Sequence, residues 1–157
     1  MLRFRVIVVD RTRSAFLQEG ERFYLERLRR YVKTEWVEVK PARMTKGRPR
    51  EEIVREEGQA LMKRVRGQDV SVPLDRSGVE YDSLGLAAWL KRLSERSTGA
   101  VCFLVGGALG HSREVLSASG MVLSLSQLTL THEMTRLVLL EQLYRACTIM
   151  EGESYHK

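Results

Sequence analysis

Two runs in the last third of the chain combine residue types and spacings suited to ligand chemistry. The first is a glycine turn, Val105-Gly106-Gly107-Ala108-Leu109-Gly110. Glycines placed directly after a strand let the backbone take positive φ and approach a bound group closely, which suits a nucleoside. The spacing is not the dinucleotide fingerprint, and no acidic residue stands where a ribose would be gripped. A tight strand-to-helix turn would need the same glycines. The second run, Leu123-Ser124-Leu125-Ser126-Gln127-Leu128-Thr129-Leu130, alternates leucine with small polar residues beyond the length of a plausible strand. Such a loop can offer backbone N–H and C=O groups to an adenine edge while leucines sandwich the ring. An ordinary half-exposed strand has the same alternation.

His132 stands where a final helix should begin, as a cap-region residue, a general base or a phosphate contact. A lone histidine is more often structural. Arg136 lies one turn later on the same face and can join it in holding a phosphate or carboxylate. Glu141, Tyr144 and Arg145 follow near helical spacing, with Gln142 beside them. Tyr155, His156 and Lys157 close the chain with a stacking ring, a titrating imidazole, an ammonium and the terminal carboxylate. Chain ends fray unless packing or function holds them, so this tail matters only if something ties it down.

The elements that position these groups follow from hydrophobic period. Apolar, β-branched runs at Phe4–Val9, Trp36–Val39, Val70–Leu74, Val101–Val105 and Met121–Leu125 predict strands. Helical spacing predicts helices over Ser14 to about Val32, Arg50–Val65, Ser83–Ser97 and His132 to Met150. Strands alternating with helices imply crossover connections, hence a single α/β domain with a mainly parallel sheet and helices on both faces. Such sheets bind ligands where loops leave the carboxyl ends of strands. Three loops there are chemically unusual: Asp75-Arg76-Ser77-Gly78, Gly106 to Gly110, and Ser126 to Thr129.

A chain of 157 residues, 43% of them hydrophobic, has room for one domain with a substantial core. No apolar run reaches the roughly 18 residues a membrane span needs, and Arg3 and Arg5 interrupt the first apolar stretch, so neither a membrane helix nor a signal peptide is expected. The expected compartment is the cytoplasm. Cys102 and Cys147, embedded in apolar segments, are expected to be reduced core thiols, and no cluster suggests a metal. The net charge of +6 favours a polyanionic partner, in particular nucleic acid. Basic residues gather at Arg27, Arg29, Arg30 and Lys33, and again over Lys40 to Arg50, a stretch without an acid that predicts a flexible basic loop.

Taken together, Gly106-Gly107 with Gly110, Leu125-Ser126-x-x-Thr129-x-x-His132-x-x-x-Arg136, Glu141-Gln142-Leu143-Tyr144-Arg145-Ala146 and the terminal Tyr155-His156-Lys157 resemble one family over essentially the whole chain. It is the bacterial large-subunit ribosomal RNA methyltransferases that modify N3 of a pseudouridine, small members of the SPOUT class. The chain departs from its pattern at two places: Ser154, where proline commonly precedes the terminal Tyr-His, and Asp10-Arg11, where a Gly-Lys pair often follows the first strand. The resemblance implies a C-terminal trefoil knot and a homodimer in which each tail closes the partner's active site. It implies S-adenosylmethionine as methyl donor, no metal, and a cofactor site on Leu74, Gly106, Gly107, Leu125, Ser126, Gln127, Leu128, Thr129 and Leu130. His132, Arg136, Tyr155 and His156 become the catalytic candidates, with Arg136, Arg145, Tyr155, His156 and Lys157 facing the RNA substrate, either histidine taking the N3 proton. The ribosome is the expected partner. A ribosome-binding or assembly protein without turnover, and a methyltransferase acting on transfer RNA, are the alternatives.

Overall fold

The computed structural model describes residues 1–96 and 99–157. Strand β1 (Arg3–Val9) leads through helix α1 (Ala15–Leu28) to β2 (Lys33–Val39), α2 (Arg50–Met62), β3 (Val70–Glu80) and α3 (Ser83–Arg96). β4 (Val101–Val105), α4 (Arg113–Ala118), β5 (Leu123–Ser124) and α5 (His132–Met150) complete the chain. Ser97, expected as the last residue of α3, lies outside the described residues. The five strands form one sheet in the order β2-β1-β4-β3-β5, every neighbouring pair parallel.

Because the sheet is covered on both faces, its central strands are apolar nearly throughout. Alternate residues of β1 enter different layers. Phe4, Val6 and Val8 join Val72, Phe103 and the buried faces of α1, α3 and α5, whereas Ile7 and Val9 join Leu104, Leu61 of α2 and Val115 of α4. Helix α5 packs against both α1 and α3, and Leu139, Leu140 and Leu143 are fully enclosed. Both cysteines are free and buried. Burial and the adjacent Asp69 push the Cys102 thiol up to about 12, and burial does the same for Cys147.

Arg5 is the buried polar residue of β1. Its Nε donates to Glu35 at 2.9 Å, and Nη1 bonds Asp69, which also accepts the Ala100 N–H at 2.8 Å. A buried guanidinium is tolerable only with such partners. The cluster joins the amino ends of β1, β2 and β4, so it belongs to the edge of the sheet opposite the loops that carry chemistry.

Three expectations shift. Asp75 to Gly78 do not form a loop after the third strand but stay within β3, whose pairing jumps so that both Leu74 and Val79 face Leu123. The bulge is local in origin: the Asp75 carboxylate accepts the Ser77 N–H at 3.0 Å, and Gly78 abuts the Val122 carbonyl so closely that a Cβ would lie 2.5 Å from its oxygen. The fifth strand shrinks to two residues, and its polar continuation is loop. The basic segment is anchored by Arg48, which folds back on α2 to Glu52 at 3.1 Å and Glu56 at 3.2 Å.

Candidate functional site

The carboxyl ends of β3, β4 and β5 open into a cleft of about 610 Å³, within the size range of nucleoside-binding sites. Its walls come from the bulge of β3, the glycine turn after β4 and the loop that joins β5 to α5. Of the expected cofactor residues, Leu74, Gly106, Gly107, Leu125, Ser126, Leu128, Thr129 and Leu130 line this one cleft. Gln127 is exposed and does not.

The glycine turn is sterically specified. The Gly110 N–H closes it on the Gly107 carbonyl at 3.1 Å, with Gly110 at φ +79°. A Cβ on Gly106 would come within 2.9 Å of the Gly110 backbone, so residue 106 has no room for a side chain. Beneath the turn lies Glu57, buried, with one carboxylate oxygen accepting the Ala42 N–H at 3.2 Å. Burial raises its proton affinity above the usual carboxylate range.

The opposite wall is built by hydroxyls. Ser124 Oγ donates to the Ser126 carbonyl at 3.1 Å, and Ser126 Oγ accepts the Leu128 N–H at 3.0 Å. These bonds turn the chain out of β5, so the Ser and Leu alternation does not continue as strand. Thr131 then caps α5, its hydroxyl accepting the Met134 N–H at 3.2 Å. His132, the first residue of the helix, lines the cleft. Partial burial and the nearby Arg136 hold its imidazole below the ordinary histidine value, so it is neutral at pH 7.

Arg136 does not reach the cleft. It is fully buried, and its Nη2 donates to the Val9 carbonyl at 2.6 Å while Nη1 donates to Thr12 Oγ1 at 2.9 Å. Thr12 in turn donates to Glu21 at 2.5 Å. The arginine that sequence spacing placed beside a substrate anion is a strut joining α5 to the end of β1 and to α1. Glu133 makes a second tie, accepting the N–H groups of Arg13 at 2.9 Å and Ser14 at 3.1 Å.

The C-terminal tail is held, but away from this cleft. Glu153 accepts the Tyr31 hydroxyl at 2.7 Å and pairs with Arg30 at 3.1 Å. The Tyr155 hydroxyl donates to Glu141 at 3.1 Å, its ring packs on Tyr144 with centroids 4.8 Å apart, and Arg145 stacks on it at 4.8 Å. Arg145 also pairs with Glu141 at 2.5 Å and donates to His156 Nδ1 at 3.4 Å. None of Arg145, Tyr155, His156 and Lys157 lines the cleft of its own chain.

Sequence reasoning gave no individual role to the cleft residues Arg50, Arg76 and His111. Arg50 was visible only as part of the basic loop, and its Nη2 donates to the Leu109 carbonyl at 2.7 Å. Arg76 donates to Thr129 Oγ1 at 3.2 Å across the cleft mouth. His111 follows the glycine turn directly, and that adjacency was its available signal. Its Nε2 donates to the Leu104 carbonyl at 3.0 Å, and burial holds the ring neutral.

The chain is similar to known proteins over nearly its whole length. The chain is 41% identical to Ribosomal RNA large subunit methyltransferase H of Anaeromyxobacter sp. (strain Fw109-5), covering 99% of this chain and 100% of that one. It is 38% identical to the protein of the same name from Trichlorobacter lovleyi, with 99% of each chain covered. It is 35% identical to that from Halothermothrix orenii, over 99% of this chain and 100% of the other. A crystal structure described as "Probable Methyltransferase from Bordetella pertussis Tohama I" shares the fold at a TM-score of 0.55 and 15% identity, covering 93% and 95% of the two chains. The family model described as "Predicted SPOUT methyltransferase" matches residues 2–156, and with relatives this similar over their full length the chain belongs to the SPOUT methyltransferases.

Proposed function

We propose that the protein methylates N3 of a pseudouridine in large-subunit ribosomal RNA with S-adenosylmethionine as donor, acting as a homodimer on the ribosome. The observation that carries this reading is the convergence of Leu74, Gly106-Gly107 and the Leu125–Leu130 loop on one cleft with His132 at its edge. The names of the full-length relatives supply the substrate class.

The cleft fits the cofactor on its own terms. Gly106 brings bare backbone to the wall where a Cβ cannot stand, and the Ser126 turn presents main-chain groups flanked by Leu125 and Leu130. When bound, S-adenosylmethionine supplies an electrophilic methyl group on a sulfonium. The chain must then orient the base and take its N3 proton, since the nitrogen lone pair is needed for attack. His132 suits the second task because it is neutral at pH 7 and borders the cleft. His156 is less suited. Arg145 can only donate, so Nδ1 of His156 accepts and Nε2 carries the hydrogen in the neutral ring. His156 therefore presents a donor, which matches a carbonyl oxygen of the base. Arg136, fully buried, serves to hold α5 and so His132.

The tail lies off its own cleft, which favours use in the partner's. A row of rings, Phe23, Tyr24, Tyr144 and Tyr155, runs from α1 over α5 to the tail, with successive centroids 5.0, 6.0 and 4.8 Å apart, and Phe16 and Phe23 are exposed. The exposed rings at the two ends of that row, Phe23 and Tyr155, with Phe16 nearby, suit a second copy. In this assembly the chain beyond β4 is threaded as the family's trefoil.

The test is incubation of purified protein with tritiated S-adenosylmethionine and, separately, intact ribosomes, large subunits and transfer RNA. Label mapped to a pseudouridine of ribosomal RNA is expected. Label confined to transfer RNA, or no transfer despite cofactor binding, overturns the assignment of substrate.

A further inference from the structure

We propose that Arg50 and Arg76 form a two-point clamp for the RNA phosphates that flank the methylated nucleotide; this rests on the RNA-methylation reading above. Both side chains line the cleft and both are exposed, one on the glycine-turn side and one on the bulge of β3. Among the described residues neither has a carboxylate within ion-pair distance. Each instead rests on one neutral oxygen, Arg50 on the Leu109 carbonyl and Arg76 on Thr129 Oγ1. Those acceptors belong to the two loops assigned to the cofactor. A guanidinium in water bonded to one neutral oxygen keeps most of its donors free, and phosphate takes them bidentately with charge assistance.

The contrast with neighbouring arginines is instructive. Arg48, two residues from Arg50, is neutralised by Glu52 and Glu56, and Arg55 pairs with Glu114 at 3.6 Å. Asp75, which adjoins Arg76 in sequence and also lines the cleft, is occupied by the N–H and hydroxyl of Ser77. Lys40, Arg43 and Lys46 are exposed along the segment that leads to Arg50. A line of cations that form no ion pair among the described residues, ending at the cleft, fits an extended polyanion better than the single carboxylate of a small cofactor. The ties from Arg50 to the glycine turn and from Arg76 to the Thr129 loop would be exchanged for phosphate as RNA seats, which couples RNA arrival to the two cofactor loops.

Arg50→Gln, Arg76→Gln and the double variant test this, with Arg55→Gln as the control for loss of one exposed charge. Binding to total ribosomal RNA is measured by filter retention across a salt series, and S-adenosylhomocysteine binding by calorimetry. The slope of log K against log salt is expected to weaken by roughly 0.7–0.9 for each clamp arginine removed, with cofactor affinity unchanged within about threefold and no change of slope in Arg55→Gln. Unchanged slopes in the clamp variants, an equal loss in Arg55→Gln, or a main effect on cofactor affinity overturns the clamp. Wild-type protein that labels no RNA overturns the function instead, while the filter assay still reads the clamp.

Discussion

Replacing Arg136 with leucine separates a strut from a substrate contact. The guanidinium is fully buried and donates to the Val9 carbonyl and to Thr12, whose hydroxyl continues to Glu21. Leucine fills much of the space but leaves the Val9 carbonyl without that donor and Glu21 without its nearby cation. Removing one partner from a buried charged network costs about 3–5 kcal/mol. Unfolding entropy near 2.1 cal/mol/K per residue gives about 0.33 kcal/mol/K for a chain this long, so the melting temperature should fall by about 9–15 °C. Thermal melts followed by circular dichroism at fixed protein concentration measure it.

The pH dependence of the same variant has a definite sign. Burial raises the Glu21 carboxyl above its ordinary value, and the Arg136 charge opposes that rise. A carboxyl raised in the folded state contributes stability below its unfolded value, near 4.3, and loses it as pH climbs through the folded value. Without Arg136 the folded value moves higher, so the stability gap between variant and wild type should be wider at pH 8 than at pH 5. Glu21→Leu combined with Arg136→Leu should recover about half or more of the loss, because an apolar pair of suitable volume replaces a buried ion pair at little cost. A melting shift under about 3 °C in Arg136→Leu, with cofactor binding intact and methyl transfer abolished, would refute the strut and return Arg136 to the cleft.

Gly106→Ala should weaken S-adenosylhomocysteine binding about 5- to 150-fold, since displacing the Gly110 backbone by overpacking costs about 1–3 kcal/mol; calorimetry giving an unchanged affinity would show that the turn yields freely. Deleting Tyr155 to Lys157 should leave a folded dimer by sedimentation while removing most methyl transfer, and full activity without the tail defeats the closing role. His132→Gln should lower kcat by about 10²- to 10⁴-fold and abolish an acid limb lying below about pH 6.5, because burial and Arg136 depress the wild-type imidazole. An acid limb that persists unchanged in the variant assigns the proton to another group.

Period and composition made most of this fold legible. Val101–Val105 and His132–Met150 coincide with β4 and α5 because a fully apolar run and a long helix capped by Thr131 carry strong local signals. Helix α4 escaped notice, as six residues are too few to display a helical period. The bulge of β3 escaped for another reason: Asp75-Arg76-Ser77-Gly78 has turn composition, and only the close approach of Gly78 to Val122 keeps it in the sheet. Asp10 shows how a departure from a family pattern can conserve geometry. It takes φ +67° and satisfies its own turn by accepting the Arg11 N–H at 2.8 Å, the conformation glycine would reach without a side chain.

The cleft was legible in its loops and illegible in its charges, and one physical cause explains both. Loops that turn tightly and present backbone need glycines, small hydroxyls and caps at fixed offsets, which appear in sequence as Gly106, Ser126 and Thr131. An arginine's role depends on where a long side chain ends, and its position in sequence does not report that. Arg136 shares a helical face with His132 yet turns inward to Val9, whereas Arg50 and Arg76, 26 residues apart by number, end on the two loops of one cleft. Helical spacing predicts the direction of a Cα–Cβ bond but not the end of a side chain several bonds longer. The carboxylates decide that end: Glu21 beyond Thr12 favours an inward Arg136, Glu52 and Glu56 capture Arg48, and Asp75, the acid in the cleft wall, is held by Ser77, so among the described residues no carboxylate pairs with Arg50 or Arg76. The positions of the acids thus determine which cations remain available to RNA.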